Sequence, residues 1–328
     1  MKISVVICTY NPREDYLKRT LDSLSEQVFS NDDWELLLVD NASDSRLSEI
    51  WDLSWHPNSR HVREDEPGLT AARLCGIRDS VGELILYVDD DNVLHPHYLD
   101  ETNRLMSKFP NLGCIGAGKI EPEFEKEPDP ELIPYTKMLA LREVSLPVWS
   151  NKPEDKAVPW GAGLVVRRSV AQTHQEYLGQ CKVSRLLDRN GGELNSCGDD
   201  DFSWTACRMG MGKGIFPELS LLHLIDERRV QREYLVRIAE GHFFSHAVLR
   251  WKHLNKIPTI RERPKAYQVL GFLITGKVSA FFRAGHRYWS NRGISDIELE
   301  IAGARYAGLR RAQKLIDSCE HESSGDLN

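Results

Sequence analysis

Short apolar runs alternate with amphipathic segments along the first 120 residues. The runs are rich in Val, Ile and Leu and have the length of single strands: residues 3–8, 34–39 and 83–88. Between the first two, residues 14–27 carry a leucine every three or four positions, which is the spacing of one helical face. Continuous apolar strands are typical of a sheet covered on both faces, and alternation with helices favours parallel strands. The pattern predicts an α/β fold with a mostly parallel, Rossmann-like sheet and helices on both faces.

The second half of the chain contains fewer clear strands and more helix. We predict helices at 97–109, 199–209, 234–251 and 267–282, and strands at 114–120 and 164–166. Residues 121–134 are rich in proline and acidic side chains with little to bury, which favours a loop or lid. The predicted organisation is an α/β domain at 1–225, a helical C-terminal extension at 226–317 and a polar tail at 318–328.

Composition and charge narrow the class of protein. The 328 residues are 41% hydrophobic and 28% charged. This composition excludes a disordered chain and a protein held together mainly by disulfide bonds. The net charge is -7, but residues 226–316 hold 18 basic and 8 acidic side chains, so the extension is basic. Seven cysteines form no CxxC pair, which favours free thiols in a reducing compartment. The N-terminal apolar run breaks at Asn11-Pro12, too early for a signal peptide. We therefore expect a cytoplasmic protein that does not bind nucleic acid.

Three consecutive carboxylates follow the apolar strand at 83–88, and we call Asp89, Asp90 and Asp91 the first acidic run. In an open parallel sheet, ligands bind at the carboxyl ends of the strands. Carboxylates crowded at such an end repel one another unless a cation neutralises them, and hard divalent cations prefer oxygen ligands. The run predicts a site for Mg²⁺ or Mn²⁺ shared with phosphate, the alternative being a solvated acidic turn.

Five segments together resemble one enzyme family. In chain order they are VVICTYNP, LLLVDNAS, ELILYVDDDN, WGAGLVVRR and SCGDDDFSWTACRMGMG. Their order and spacing over residues 1–225 are similar to family 2 glycosyltransferases of the GT-A type. The resemblance implies a nucleotide-sugar half at about 1–120 and an acceptor half at about 121–225.

The resemblance also implies roles for residues at the strand ends. The nucleotide sugar would be bound by residues that follow the first three strands and by one arginine of the helix before the strand at 83–88. These residues are Thr9, Tyr10, Asn11, Asp40, Arg73, Asp89 and Asp90. A Mn²⁺ or Mg²⁺ ion would be held by Asp91, with Asp89 and His223 in support. Three of these residues also have purely structural interpretations. Asp40 would form a turn, Arg73 would lie on the surface, and His223 would be a core residue flanked by leucines.

The catalytic base is assigned to a second acidic run, Asp199, Asp200 and Asp201. The family usually has Glu-Asp here, three residues before an apolar position, so counting back from Phe202 favours Asp199. Gly198 stands where Glu is usual, which keeps Asp200 as a rival. The alternative is a helix start enriched in acids. The acceptor would contact Trp160, Gly161, Ala162 and Gly163, while His242 and His246 share a helix face or form a metal pair.

The predicted activity is metal-dependent, inverting transfer of a sugar from a nucleoside diphosphate sugar, with a UDP-sugar favoured, to a hydroxyl group. The acceptor would be a glycan, a lipid-linked or a small molecule, in glycan, polysaccharide or glycolipid assembly. Basic side chains and aromatics of the extension suggest either a solvated face, a diphosphate clamp, or peripheral contact with anionic lipid at the inner face of the membrane. Two alternatives are a non-catalytic nucleotide or carbohydrate-binding protein and a sugar-nucleotide nucleotidyltransferase.

Overall fold

The computed structural model describes residues 2–180, 186–189, 193–260 and 296–325. The strands are β1 Ile3–Thr9, β2 Trp34–Asn41, β3 Ser59–Glu64, β4 Leu84–Val88, β5 Asn92–Leu94, β6 Leu112–Phe124, β7 Arg142–Glu143, β8 Val148–Ser150, β9 Leu164–Arg167 and β10 Gly212–Ile225. The α-helices are α1 Glu14–Ser25, α2 Leu69–Asp79, α3 Tyr98–Lys108, α4 Arg168–Gln180, α5 Gly198–Arg208, α6 Arg232–Leu254 and α7 Asp296–Gly325. Short 3₁₀ helices include Ile133–Leu139 and Glu227–Val230.

One mixed sheet organises these elements. Its strand order is β3-β2-β1-β4-β9-β6-β10-β5, with β7 added to β6 and β8 added to β10. Strands β3, β2, β1 and β4 are parallel, as are β6 and β10. Strand β9 runs antiparallel between β4 and β6. The sheet is therefore parallel where the first three predicted strands lie and mixed beyond them.

Helices cover both faces of this sheet, as the apolar runs predicted. On one face, Val5 packs in a core with Leu17 and Leu24 of α1 and Leu105 of α3. On the other face, Val6 packs in a second core with residues of α2, α4 and α5. Alternate side chains of one strand thus enter different cores, which is why the strand sequences are apolar throughout.

The second half of the sheet departs from the sequence expectations. Residues 121–124, expected in a loop or lid, continue β6 and pair with β10. The 14-residue strand β10 supplies the partner, and acidic residues at this edge are held by arginines, as in the Arg19–Glu123 ion pair. The 3₁₀ helix Ile133–Leu139 follows, so the loop prediction is wrong for these parts. The pattern also missed β3 and α4.

The C-terminal helices pack on the α/β layer. Trp204 of α5 shares a core with Phe244 and Val248 of α6 and with Ala312 of α7. Helix α7 continues to Gly325, so the polar tail predicted from Ser318 is helical over most of its length. The predicted helix at 267–282 lies outside the described residues. In the described part of the chain, no helix has both the length and the apolar character needed to span a bilayer.

Candidate active site

Polar residues at the carboxyl ends of three parallel strands lie side by side. Thr9 at the end of β1 is opposite Asp40 of β2, and Ile7 is opposite Val88 at the end of β4. The Thr9 hydroxyl donates a hydrogen bond to the Asp90 carboxylate. The first acidic run therefore opens onto the same edge of the sheet as the ends of β1 and β2.

A cleft of about 1080 Å³ lies at this edge, large enough for a nucleotide sugar. Twelve of the predicted site residues line it: Thr9, Tyr10, Arg73, Asp89, Asp90, Asp91, Trp160, Gly161, Ala162, Asp199, Asp200 and His223. Asn11, Asp40 and Gly163 are not among the lining residues. Both acidic runs thus line one cavity together with residues 160–162 of the segment 160–163, which we call the Trp-Gly segment.

The two strand-end residues outside the lining organise the neighbouring loops. The buried Asp40 carboxylate accepts hydrogen bonds from the backbone N–H groups of Ser43 and Leu47 and from Arg63 at 2.7 Å. Asn11, at φ 46°, exchanges hydrogen bonds with Asp44 through its side-chain amide. Both contacts are those of loop-forming residues, which matches the turn alternative for Asp40, and a nucleotide contact for either remains a prediction.

Asp91, His223 and Arg229 meet at the first acidic run. His223 lies inside β10 rather than at a strand end, opposite Asn92 of β5. Its Nε2 atom is 3.3 Å from Oδ2 of Asp91, and Arg229 Nη1 donates to the same Oδ2 at 2.7 Å. The sequence motifs proposed Asp91 and His223 together as metal ligands. They gave no individual role to Arg229, which stood out only as one of the basic residues of the extension.

Burial and mutual repulsion separate the pKa values of the three carboxyls. Burial, reinforced by the charge of Asp91, raises the pKa of Asp90 to about 7 and also raises the pKa of Asp89. Burial opposes ionisation of Asp91 too, but His223 and Arg229 hold its pKa below the usual range. Asp91 is therefore the carboxylate of the run that is most firmly ionised.

Two of the three predicted metal ligands converge on one point. Oδ2 of Asp91 and Nε2 of His223 lie 3.3 Å apart, one carboxylate oxygen and one imidazole nitrogen. Among the described residues, no group of three or more His, Cys, Asp and Glu side chains could hold a metal ion. A cation that takes most of its ligands from phosphate and water needs only one or two protein ligands. The pair fits such a cation, and the imidazole favours Mn²⁺ over Mg²⁺.

The second acidic run forms the first turn of α5, which begins at Gly198 after Cys197 in the left-handed region at φ 85°. Asp199 Oδ2 accepts a hydrogen bond from the Gly161 N–H at 2.7 Å, and its Oδ1 accepts one from the Asp200 N–H. Asp201 points the opposite way and is 1% exposed. Two carboxylates of the run therefore face the cleft, and the third is buried behind it.

Asp200 has a strongly perturbed carboxyl group. Burial, reinforced by the neighbouring Asp199 carboxylate, raises the pKa of Asp200 to about 7. A carboxyl group with a pKa near neutral is common where protons are transferred.

A buried ion pair beneath the cleft explains the glycine at the start of α5. Asp188 accepts hydrogen bonds from Arg73 and from the Thr70 hydroxyl, both at 2.9 Å. A Cβ atom on Gly198 would lie 2.1 Å from the Asp188 carboxylate, so this position tolerates no side chain. Arg73 is thus buried, which contradicts the surface alternative, and sequence inspection had no signal for Asp188.

The Trp-Gly segment lies between the two acidic runs. The Arg142 guanidinium stacks on the Trp160 ring, 3.5 Å from its centroid, so one face of this indole is already covered. Gly163, at φ 74°, accepts a hydrogen bond from the buried Tyr98 hydroxyl, and a Cβ there would collide with that hydroxyl. Gly161 and Gly163 therefore allow close backbone approach to Asp199 and Tyr98.

Helix α6, which belongs to the predicted C-terminal extension, forms one wall of the cleft. Ile238, His242 and His246, spaced four residues apart, line the cavity together with Phe243. The shared helix face of the two histidines is therefore observed. The basic extension and the α/β domain build this cavity jointly.

Comparison with a known protein agrees with the fold described above. Mannosyltransferase PcManGT from Pyrobaculum calidifontis, solved in complex with GDP-Man and Mn²⁺, superposes with a TM-score of 0.58 at 17% identity, over 96% of this chain and 87% of that one. The shared fold is the GT-A glycosyltransferase fold with a C-terminal helix, as the sequence motifs predicted.

Residues 4–156 match the family model for glycosyl transferase family 2. An uncharacterized glycosyltransferase of Haemophilus influenzae is 28% identical over 113 residues, 34% of this chain and 37% of the relative. Poly(ribitol-phosphate) beta-N-acetylglucosaminyltransferase TarP of Staphylococcus aureus is 26% identical over 139 residues, 38% of this chain and 41% of TarP. The matches span well under half the length of these relatives. The match over residues 4–156 and the glycosyltransferase relatives agree with the family resemblance predicted from the sequence motifs.

Proposed function

We propose that the chain is a metal-dependent, inverting glycosyltransferase that moves a sugar from a nucleoside diphosphate sugar to a hydroxyl group of the acceptor. The observation that carries the proposal is that Asp91 with His223, and Asp199 with Asp200, line a single cleft at the carboxyl edge of the sheet. One pair has the chemistry for a cation and diphosphate, and the other has the chemistry for a base.

The donor occupies the side of the cleft formed by β1, β4 and α2. Thr9 and Tyr10 frame the nucleotide, with Tyr10 60% exposed and free to pack on a base. Asn11 and Asp40 support this end through the loops that they hold. Asp91 and His223 would hold Mn²⁺ or Mg²⁺, which would supply Lewis-acid stabilisation of the diphosphate leaving group. Asp89 and Asp90 line the same end, and a UDP-sugar is the favoured donor.

Asp199 is the base that takes the proton from the acceptor hydroxyl. The Gly161 N–H fixes one carboxylate oxygen, so the orientation of the base is set before the acceptor binds. The neighbouring Asp200, whose pKa is raised to about 7 mainly by burial, lies beside this base in the cleft. The acceptor then lies against Trp160 to Gly163, with the α6 wall closing the other side.

Residues of the Trp-Gly segment and of α6 line the acceptor side of the cleft. The acceptor is a glycan, a lipid-linked sugar or a small molecule. Glycan, polysaccharide or glycolipid assembly is the proposed setting, in the cytoplasm, with peripheral contact at the inner face of the membrane through the basic extension.

A non-catalytic binding protein is the second candidate function. It would need the donor side of the cleft but not two neighbouring carboxyl groups on the acceptor side. The position of Asp199 and Asp200 in the cleft, with the pKa of Asp200 raised to about 7, favours the enzyme, because perturbed carboxyl groups concentrate at catalytic sites. A nucleotidyltransferase has less support, since Thr9 to Asn11 offer no glycine-rich phosphate loop.

Donor turnover with and without metal tests the proposal. With UDP- and GDP-sugars as donors, EDTA is expected to abolish release of the nucleoside diphosphate, and Mn²⁺ should restore it more fully than Mg²⁺. Asp91→Asn should weaken nucleotide affinity only when metal is present. Turnover that is indifferent to EDTA, or metal-dependent nucleotide affinity that is unchanged in Asp91→Asn, would contradict the metal assignment.

A further inference from the structure

Arg229 is fixed in place by a capped turn directly after β10. It lies in the 3₁₀ helix Glu227–Val230, whose N-cap Asp226 accepts hydrogen bonds from the Arg228 N–H at 2.8 Å and from Arg13 Nη1 at 3.0 Å. The backbone of Arg229 itself donates to the Asp226 carbonyl. This turn directs the guanidinium back over the end of β4, 138 residues earlier in the chain.

The guanidinium occupies the point where Asp91 and His223 converge. Arg229 Nη1 lies 2.7 Å from Asp91 Oδ2 and 3.1 Å from His223 Nε2. The guanidinium is cationic and lies against Asp91 Oδ2 and His223 Nε2 at the same time. The same oxygen and the same nitrogen are the two protein ligands that a divalent cation would use. Guanidinium and metal therefore compete for the same two atoms.

The guanidinium of Arg229 also does not use all of its hydrogen-bond donors, unlike that of an arginine in a purely structural ion pair. Its Nε atom is buried, and no hydrogen-bond partner for it is found in the described part of the chain. The side chain is 14% exposed and lines the cleft, so the guanidinium can turn toward a ligand without crossing the core. An anion entering the cleft would offer it more acceptors than it has now.

We propose that Arg229 is an internal counter-ion that keeps a bare divalent cation away from Asp91 and His223 and is released onto the diphosphate of the donor. Guanidinium groups bind phosphate through paired, charge-assisted hydrogen bonds, so the diphosphate compensates Arg229 for the contacts it gives up. The cation and the nucleotide then bind as a unit. This inference rests on the proposed function and names Arg229 as the residue that couples its two ligands.

The proposal has a thermodynamic signature. A residue that opposes one ligand until the second arrives creates a coupling free energy, and the coupling is reciprocal. Mn²⁺ should bind weakly alone and tightly with a nucleoside diphosphate, and the diphosphate should tighten to the same extent when Mn²⁺ is present. Removing Arg229 should lower this coupling by strengthening the binding of the bare ion.

Titration of the full chain with Mn²⁺, alone and with saturating UDP or GDP, tests the role of Arg229. In the wild type, nucleotide should tighten Mn²⁺ binding about tenfold or more, within the range typical of coupled sites. In Arg229→Gln, the dissociation constant for bare Mn²⁺ should fall by about the same factor, and the effect of nucleotide should shrink accordingly. Arg228→Gln is the matched control, since its neighbouring guanidinium is 75% exposed and contacts Asp226 instead. It should titrate like the wild type.

Two outcomes would overturn the proposal. The first is Arg229→Gln binding bare Mn²⁺ no more tightly than wild type and Arg228→Gln. The second needs no variant and stands if Arg229→Gln fails to fold: wild-type protein binding Mn²⁺ equally well with and without nucleotide. A wild type that binds no Mn²⁺ even with UDP and GDP would instead contradict the proposed function itself, which separates the two failures.

Discussion

Asp199→Asn is expected to lower sugar transfer by a factor of about 10² to 10⁴ while leaving nucleotide affinity near the wild-type value. General-base assistance is typically worth about 3–5 kcal/mol, and the amide keeps the shape of the side chain but cannot accept the proton. Nucleotide affinity should persist because Asp199 contacts Gly161 on the acceptor side and not the first acidic run. Turnover and nucleotide titration on the same preparation measure both quantities.

Asp200→Asn is the matched control for this substitution. The neighbouring carboxyl lines the same cleft, but its pKa, raised to about 7, reduces the fraction that is ionised and able to accept a proton near neutral pH. We expect a milder loss of transfer than in Asp199→Asn. If Asp200→Asn were the inactive variant, the assignment within the pair would be reversed. If both variants and the double variant kept full activity, the second acidic run would not supply the base.

Asp201→Asn is expected to cost about 3–5 kcal/mol of the free energy of unfolding, the usual effect of removing one member of a buried ion pair. Asp201 accepts hydrogen bonds from Lys252 at 2.6 Å and from His253, both on α6. Asp201 is 1% exposed and Lys252 7%, so an amide at position 201 would leave a buried ammonium group without a counter-ion. Urea unfolding of the two proteins gives the difference directly.

Two further variants isolate the cause of that loss. Asp201→Asn combined with Lys252→Met removes both charges and should recover part of the lost stability. Asp199→Asn, in the same turn of α5, breaks no ion pair among the described residues and should unfold close to the wild type. An Asp201→Asn protein as stable as the wild type would contradict the role of this ion pair in joining α5 to α6.

The strands around the donor side could be predicted because burial on both faces leaves an unbroken apolar sequence. Residues 3–8 and 83–88 lie within one residue of the observed bounds of β1 and β4. Once these strands are parallel neighbours, their carboxyl ends must meet, which brings Thr9 to the first acidic run. The motifs at these strand ends also indicated the glycosyltransferase family whose model matches residues 4–156.

The remaining site depends on contacts that local sequence does not encode. Arg229 reaches Asp91 only because β10 pairs with β5 and a capped turn follows it. The Asp188 carboxylate has room at its position because Gly198, ten residues later in the chain, has no side chain. Helix α6 is apolar on several sides, since it packs on α5 and α7, so its pattern does not reveal which face lines the cleft.

The most direct test of the central claim is a crystal structure of the protein soaked with a nucleotide sugar and Mn²⁺. The account predicts that Mn²⁺ contacts Asp91 and His223, that the diphosphate lies against the ion with Arg229 moved off Asp91, and that the anomeric carbon faces Asp199. A nucleotide sugar bound elsewhere, or one whose anomeric carbon faces away from the second acidic run, would contradict the account.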